Sequence, residues 1–226
     1  MAKNIFMSAG SKGGVGKSLL AMAMVDYFKG IGEELLLIES DTSNPDVWKT
    51  YKDLMPVKLV NLDEADGWIE LVNVCEQFPQ STIVVNTPSR NNTGVSAYGS
   101  TLNNALDELK RKLVTLWIIN RQRDSLELLK EFMTAIPAAH VHVVRNAYYG
   151  TESKFELYNQ SKLKTHIEGK GGLSLMFPDL ADRVCDDLYS KRMSIEAACK
   201  EMPLGNRAEL IRWKQEFKKI MEAIQS

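Results

Sequence analysis

Short, almost wholly apolar runs alternate along this chain with longer segments whose apolar residues recur every three or four positions. The short runs are typical of strands buried in a parallel sheet; they occupy residues 5–7, 35–38, 82–85, 116–119 and 141–146, with a weaker candidate at 57–60. The longer segments predict helices over residues 19–28, 68–78, 102–113, 126–136, 179–189 and 206–224. This alternation predicts an α/β fold, a doubly wound and mostly parallel sheet with helices on both faces.

Other stretches give weaker indications. Residues 89–101 are rich in glycine, serine and asparagine, which predicts a flexible loop. Residues 151–171 are polar and rich in lysine. The last predicted helix has one apolar stripe, and docking on the chain's own sheet explains that stripe better than a membrane does. The 226 residues suit one domain of this architecture, so we expect residues 1–226 to form a single domain.

Composition and charge limit the class of function. The chain has 28 basic and 29 acidic residues, so any affinity for DNA must come from a local patch. The three cysteines are odd in number and scattered, which favours reduced thiols over disulfides or a metal site. The first residues lead directly into a predicted strand, without a long apolar segment or a small-residue cleavage site, so we expect neither a signal peptide nor a membrane span. We therefore expect a cytoplasmic protein.

One glycine-rich stretch carries the strongest chemical signal. Residues 10–18 read Gly-Ser-Lys-Gly-Gly-Val-Gly-Lys-Ser, which matches the phosphate-binding pattern G-x-x-x-x-G-K-[ST]. A strand is predicted before it and a helix after it, as the motif requires. Backbone N–H groups and the positive end of the helix dipole would bind phosphates, Lys17 would reach the β- and γ-phosphates, and Ser18 would bind Mg²⁺.

A second lysine refines this interpretation. With Lys12, the loop has the form K-G-G-x-G-K-S and resembles the deviant Walker A motif of the ParA/MinD family of ATPases. In that family the extra lysine crosses a dimer interface to the partner's nucleotide. The resemblance therefore implies ATP and Mg²⁺ as cofactors and a homodimer in the ATP state.

The same resemblance extends to two later strand ends. In the family, one strand ends D-x-D and its second acid orients the attacking water; Asp41 matches that acid, and Glu39 stands at the first position. The Walker B strand of the family usually ends D-T-P, whereas residues 86–88 here read Asn-Thr-Pro. Asn86 can accept a hydrogen bond from a metal-bound water but brings no charge.

The resemblance also implies a base-binding region. An asparagine that ends a late strand commonly contacts adenine in the family, and Asn146 matches it; residues 173–178 resemble the final strand and its proline, Pro178. The predicted catalytic residues are Lys12, Lys17 and Asp41. The predicted metal ligands are Ser18, Glu39, Asp41 and Asn86. The predicted nucleotide-binding residues are Gly10, Ser11, Lys12, Gly13, Gly14, Val15, Gly16, Lys17, Ser18, Leu19, Asn146 and Pro178.

Short length and the Asn-Thr-Pro variant look most like plasmid-encoded ParA-like proteins of the StbB/MobD kind, which accompany plasmid stability or mobilisation genes. The main hypothesis is a slow, dimerising ATPase in plasmid partition, stability or mobilisation, with a DNA-binding adaptor or relaxase-associated protein as partner. Basic residues near the end, among them Arg207, Arg212 and Lys214, could give non-specific DNA binding. The alternatives are an ATP-binding scaffold that hardly hydrolyses and a metabolic ligase of dethiobiotin-synthetase type; a membrane is not an expected partner.

Overall fold

The computed structural model describes residues 3–10, 13–88 and 92–226. Its centre is a seven-stranded sheet in which every neighbouring pair of strands is parallel, in the order β3-β2-β4-β1-β5-β6-β7. The strands are β1 (Ile5–Gly10), β2 (Leu35–Glu39), β3 (Val57–Leu59), β4 (Thr82–Asn86), β5 (Leu113–Ile119), β6 (His140–Asn146) and β7 (Ser174–Phe177). The chain crosses from one strand to the next through helices, as parallel pairing requires.

Helices cover both faces of the sheet. They are α1 (Lys17–Gly30), α2 (Asp46–Tyr51), α3 (Ala65–Gln77), α4 (Asn92–Leu109), α5 (Asp124–Ala135), α6 (Glu156–Asn159), α7 (Lys162–Gly169), α8 (Asp182–Ser190), α9 (Ile195–Glu201) and α10 (Leu204–Gln225), with short 3₁₀ turns at Ala147–Tyr149 and Glu152–Lys154. One apolar core joins the sheet to α1, α2, α8, α9 and α10, and a second joins it to α3, α4, α5, α6 and α7. The predicted α/β fold is confirmed.

The apolar stripe of α10 belongs to the first of these cores. Leu210, Trp213 and Phe217 are buried, and the rings of Trp213 and Phe217 contact Phe177 at the end of β7. The stripe therefore docks on the chain's own sheet, as predicted. Across the described ranges, no helix combines the length and apolarity needed to cross a membrane.

The predicted loop at residues 89–101 is wrong from residue 92 onward, where α4 begins; residues 89–91 lie outside the described part of the chain. Composition misleads here because packing decides the conformation. Val95 and Leu102 are buried, and Gly99 lies so close to the residue after α5 that a Cβ would be 3.0 Å from the Ile136 side chain. A small residue at 99 thus permits the contact between α4 and the segment after α5.

Two further differences concern local pattern. Leu113 was expected to end a helix, but α4 ends at Leu109, Lys110 takes a left-handed φ of 54°, and Leu113 begins β5 opposite Ile5. The helices α2, α6, α7 and α9 have no counterpart among the predicted elements. They are short, and each contributes only a few buried side chains to the core, so their apolar periodicity is weak.

Candidate functional site

The glycine-rich loop turns tightly between β1 and α1. Gly14 and Gly16 have φ values of 74° and 109°, in the left-handed region that favours glycine. A Cβ on Gly16 would also lie 2.8 Å from the Asn146 side-chain nitrogen. Helix α1 begins at Lys17, so Lys17 and Ser18 stand in its first turn, where N–H groups lack partners within the helix. Ser11 and Lys12 lie outside the described residues.

Three side chains from neighbouring segments fix carbonyl groups of this loop and of Lys17. The Ser8 hydroxyl donates to the Lys17 carbonyl over 2.8 Å. Asn146 Nδ2 donates to the Val15 carbonyl over 2.9 Å, and the Tyr149 hydroxyl donates to the Gly14 carbonyl over 3.0 Å. The conformation of the loop thus depends on β1, on the end of β6 and on the segment that follows β6.

A cavity of about 310 Å³ opens beside the loop at the carboxyl edge of the sheet. Its volume falls in the usual range for small-molecule sites. Its walls come from the loop, from the ends of β2 and β4, and from the segments after β6 and β7. They comprise Gly14, Gly16, Lys17, Ser18, Leu19, Asp41, Thr87, Asn146, Tyr148, Phe177, Pro178, Asp179, Leu180, Asp182, Cys185 and Tyr189. The structure therefore brings together most of the predicted site residues that it describes.

Lys17 and Asp41 supply opposite charges to this cavity. Burial lowers the pKa of Lys17 to about 8, and the negative charge of Asp41 acts in the opposite direction. Asp41 is held by its neighbours, because its Oδ1 accepts hydrogen bonds from the Ser43 hydroxyl at 2.7 Å and the Asn44 backbone N–H at 3.0 Å. A fixed carboxylate is thus placed at the wall of the cavity that Lys17 also lines.

Glu39 and Asn86 form a buried pair behind that wall. They are direct neighbours across β2 and β4, and Glu39 Oε1 accepts 2.9 Å hydrogen bonds from Asn86 Nδ2 and from the Asp41 backbone N–H. Burial raises the pKa of Glu39 to about 7, while these two hydrogen bonds favour the charged form. The pair therefore connects the ends of two strands to the backbone of Asp41.

The oxygen atoms at the cavity wall fit a magnesium ion that also binds phosphates better than an ion held by protein side chains alone. Ser18 and Asp41 bring oxygen atoms to the cavity wall, whereas Glu39 and Asn86 are buried and do not line it. Glu39 Oε2 and Asn86 Oδ1 are both buried without a hydrogen-bond partner in the described ranges, so two acceptors remain for a water or an ion. Among the described residues, no group of three or more His, Cys, Asp and Glu side chains could hold a metal.

One known protein resembles this chain over almost its full length. Protein MobD of Acidithiobacillus ferrooxidans is 67% identical over 224 residues, which are 99% of each chain. The chain belongs to the MobD family. No protein-family model matches it.

Solved structures share the fold of this MobD-family chain at low sequence identity. The MinD cell division protein of Aquifex aeolicus has a TM-score of 0.54 and 13% identity, covering 97% of both chains. A nucleotide-binding protein from Archaeoglobus fulgidus in complex with ADP has a TM-score of 0.51 and 12% identity, covering 93% of this chain and 91% of its own. Chloroplast FtsY of Physcomitrella patens has a TM-score of 0.55 and 13% identity, covering 78% of this chain and 59% of its own. The chain thus shares its fold with these three proteins.

The predicted base-binding residues occupy one side of the cavity. Asn146 lines the cavity, and both polar atoms of its side chain already form hydrogen bonds within the chain. Its Nδ2 donates to the Val15 carbonyl, and its Oδ1 accepts from the Tyr148 N–H. Pro178 lines the same cavity, and its carbonyl accepts a 2.8 Å hydrogen bond from Trp213 Nε1. Contact of these residues with a base stays a prediction.

Sequence reasoning missed several residues of the wall. They are Thr87, Tyr148, Phe177, Asp179, Leu180, Asp182, Cys185 and Tyr189. A usable signal existed for Tyr148 and for its neighbour Tyr149, because both directly follow a strand that was predicted to reach the site. The residues of α8 carried no such signal, since their position depends on how α8 packs on α10.

The basic residues near the carboxyl end are largely paired within the chain. Arg212 forms ion pairs with Glu209 and Glu216 at 2.6 and 2.7 Å, and Lys214 pairs with Asp26 at 2.9 Å. A DNA phosphate would have to compete with these carboxylates. Direct, non-specific DNA binding by this region stays a prediction.

Proposed function

We propose that the chain is an ATP-dependent, dimerising ATPase of the ParA/MinD type that acts in plasmid mobilisation, stability or partition. The observation that carries the proposal is the cavity in which the glycine-rich loop, Lys17 and Asp41 meet. A fixed phosphate cradle, a cation and a carboxylate are the groups that phosphoryl transfer to water requires. The name of the MobD relative supports a role in mobilisation.

Each part of the site receives a role in this proposal. The loop from Gly10 to Leu19 binds the phosphates, and Lys17 neutralises them. Ser18 and Asp41 hold a Mg²⁺ ion or its waters, and this ion supplies neutralisation of phosphate charge when it is bound. Asp41 also orients the attacking water, while Glu39 fixes the Asp41 backbone and is itself held by Asn86.

Dimerisation depends in this proposal on Lys12, which extends to the nucleotide of the partner copy. The nucleotide state would then control binding of a further partner, a DNA-binding adaptor or a relaxase-associated protein. This choice of partner rests on the MobD name and on the chain's own ion pairs, which leave Arg212 and Lys214 engaged.

A specific observation favours a second candidate, a nucleotide-gated scaffold that hardly hydrolyses ATP. Asn86 is an amide where the family resemblance implies an acid, and burial favours the neutral form of Glu39. Both features reduce the negative charge available to hold a metal. A metabolic ligase stays a weaker alternative that failure to dimerise with ATP would support.

Two variants and one control test the main proposal. Lys12→Ala is expected to bind ATP but to lose dimerisation with a non-hydrolysable analogue, which light scattering measures. Asp41→Ala is expected to dimerise but to lose turnover at saturating Mg²⁺-ATP. Lys130→Ala removes a cation from the exposed surface of α5 and should match the parent in both assays.

The outcomes separate the candidates. A Lys12→Ala variant that dimerises as tightly as the parent contradicts the interfacial role of Lys12. Turnover of Asp41→Ala at the parent's rate contradicts the role of Asp41. A parent that dimerises with ATP but shows no turnover, even with DNA and partner present, selects the scaffold.

A further inference from the structure

One aromatic side chain of the cavity wall is exposed and yet held in place. Tyr148 is 62% exposed. Its backbone N–H donates to Asn146 Oδ1 over 3.0 Å, and its ring meets the Tyr149 ring edge-on, with 5.3 Å between centroids and 89° between planes. Tyr149 is in turn bonded through its hydroxyl to the Gly14 carbonyl. The ring of Tyr148 is therefore tied to the phosphate loop by a short chain of contacts.

The order of the strands places the Tyr148 ring two strands away from β1, which leads into the phosphate loop. Asp41 follows β2, which lies two strands from β1 on one side, whereas Tyr148 follows β6, two strands from β1 on the other side. At about 4.8 Å per strand, the end of β6 lies roughly 10 Å along the sheet from the end of β1. A nucleotide whose phosphates occupy the loop would extend its base over such a distance toward β6 and β7.

The walls at this end have the chemistry of a base-binding surface. Besides Tyr148, the segment after β7 contributes Pro178 and Leu180, and both line the same cavity. An aromatic ring and apolar carbon atoms offer flat contact to a heteroaromatic ring. Stacking on an aromatic side chain stabilises a nucleobase without selecting its hydrogen-bonding edge.

We propose that Tyr148 stacks on the purine base of the bound nucleotide. This inference rests on the proposed nucleotide binding and adds the residue that holds the base. Tyr149 acts as a positioning residue, because it sets the edge-on orientation of the Tyr148 ring and anchors it to Gly14. The phenolic hydroxyl of Tyr148 has no part in stacking, so phenylalanine should replace tyrosine.

The test compares four proteins, the parent, Tyr148→Ala, Tyr148→Phe and Leu157→Ala. Leu157 is a suitable control because it is a similarly exposed side chain in α6 that does not line the cavity. Calorimetry measures the dissociation constant of Mg²⁺-ATP for each protein. The fluorescence of the triphosphate of 2-aminopurine riboside, measured at saturating protein, reports whether the base stacks.

We expect Tyr148→Ala to weaken ATP binding about tenfold and to lose the fluorescence quenching that stacking causes. Tyr148→Phe should stay within about twofold of the parent and retain the quenching, and Leu157→Ala should match the parent. A Tyr148→Ala variant with the parent's affinity and quenching overturns this inference and leaves the proposed function intact. A Tyr148→Phe variant as weak as Tyr148→Ala overturns stacking in favour of the hydroxyl. A parent that binds no ATP overturns the proposed function and this inference with it.

Discussion

We predict that His142 in β6 makes the stability of the protein depend on pH, for a reason that lies in its buried geometry. The side chain is only 2% exposed, and its Nδ1 accepts a 3.1 Å hydrogen bond from the Leu173 N–H. The proton of the neutral ring must then be on Nε2, which is buried and has no hydrogen-bond partner in the part of the chain that the structure describes. Burial, followed by the charge of neighbouring His140, lowers the pKa of His142 to about 4.

The sign and size of the effect follow from this shift. An unfolded histidine has a pKa near 6.5, so below that pH the unfolded chain binds more protons than the folded one. The stability contributed by neutral His142 is therefore complete above pH 6.5 and is lost progressively as the pH falls from 6.5 to 4. Linkage gives a loss of about 2 kcal/mol between pH 7.5 and 5.0, and about 3 kcal/mol by pH 4.

Urea unfolding at pH 7.5, 6.0 and 5.0 tests this prediction in the parent, His142→Asn and His166→Asn. Asparagine can keep an acceptor for the Leu173 N–H but cannot take up a proton. Between pH 7.5 and 5.0, the free energy of unfolding of the parent should therefore fall by about 2 kcal/mol more than that of His142→Asn. His166→Asn removes an exposed imidazole on α7 and serves as the control. A parent-to-His142→Asn difference that stays constant from pH 7.5 to 5.0 would refute the reasoning.

Two further predictions concern buried polar groups. Arg111→Met should lower the free energy of unfolding by about 3 kcal/mol or more in urea titrations. The reason is that the Arg111 guanidinium donates to the backbone carbonyls of Lys3, Ser81 and Phe78. Lys112→Met, at an exposed neighbouring position, is the control, and equal losses of stability in the two variants would contradict the role of Arg111. Asn86→Asp should lower the free energy of unfolding by about 3 kcal/mol at pH 8, because it puts a second carboxylate beside Glu39. Adding Glu39→Gln to this variant should recover most of the lost stability. A double variant no more stable than Asn86→Asp alone would exclude repulsion between the two carboxylates as the cause.

The strands and the phosphate loop could be predicted because their signals are local. A run such as 82–85 is apolar on both sides of the strand, and the loop needs glycine where φ is positive, as at Gly14 and Gly16. The start of α4 could not be predicted, because its serine, glycine and asparagine residues by themselves favour a loop. The helix depends on the packing of Gly99 against Ile136, which the local sequence does not reveal. Predictions from local sequence were correct where the backbone conformation itself restricts the residue type. They were wrong where a contact with a distant part of the chain outweighs the local propensity.

The candidate site was predictable to a similar extent. Motif spacing identified Lys17, Ser18 and Asp41, which all line the cavity. The burial of Glu39 and the position of Tyr148 depend on strand register and on the order of strands in the sheet, neither of which a motif contains. Residues 11 and 12 lie outside the described residues, so the role of Lys12 stays a prediction.

The pairing of Glu39 with Asn86 gives a physical reason why residues 39 and 86 differ from the ParA/MinD pattern that the sequence resembles. The register of β2 and β4 sets these residues side by side, with 2.9 Å between Glu39 Oε1 and Asn86 Nδ2. Two carboxylates at that separation in a buried position could not both ionise, so an acid at 86 would force one proton onto the pair. The amide avoids this conflict and leaves Glu39 Oε1 to accept the Asp41 N–H as well. The residues at 39 and 86 thus form one arrangement, in which Asp41 lies at the cavity wall that Lys17 also lines and the buried pair holds the Asp41 backbone. For the ATPase that we propose, turnover is therefore expected to depend more on how firmly Asp41 is positioned than on the charge lost at residue 86.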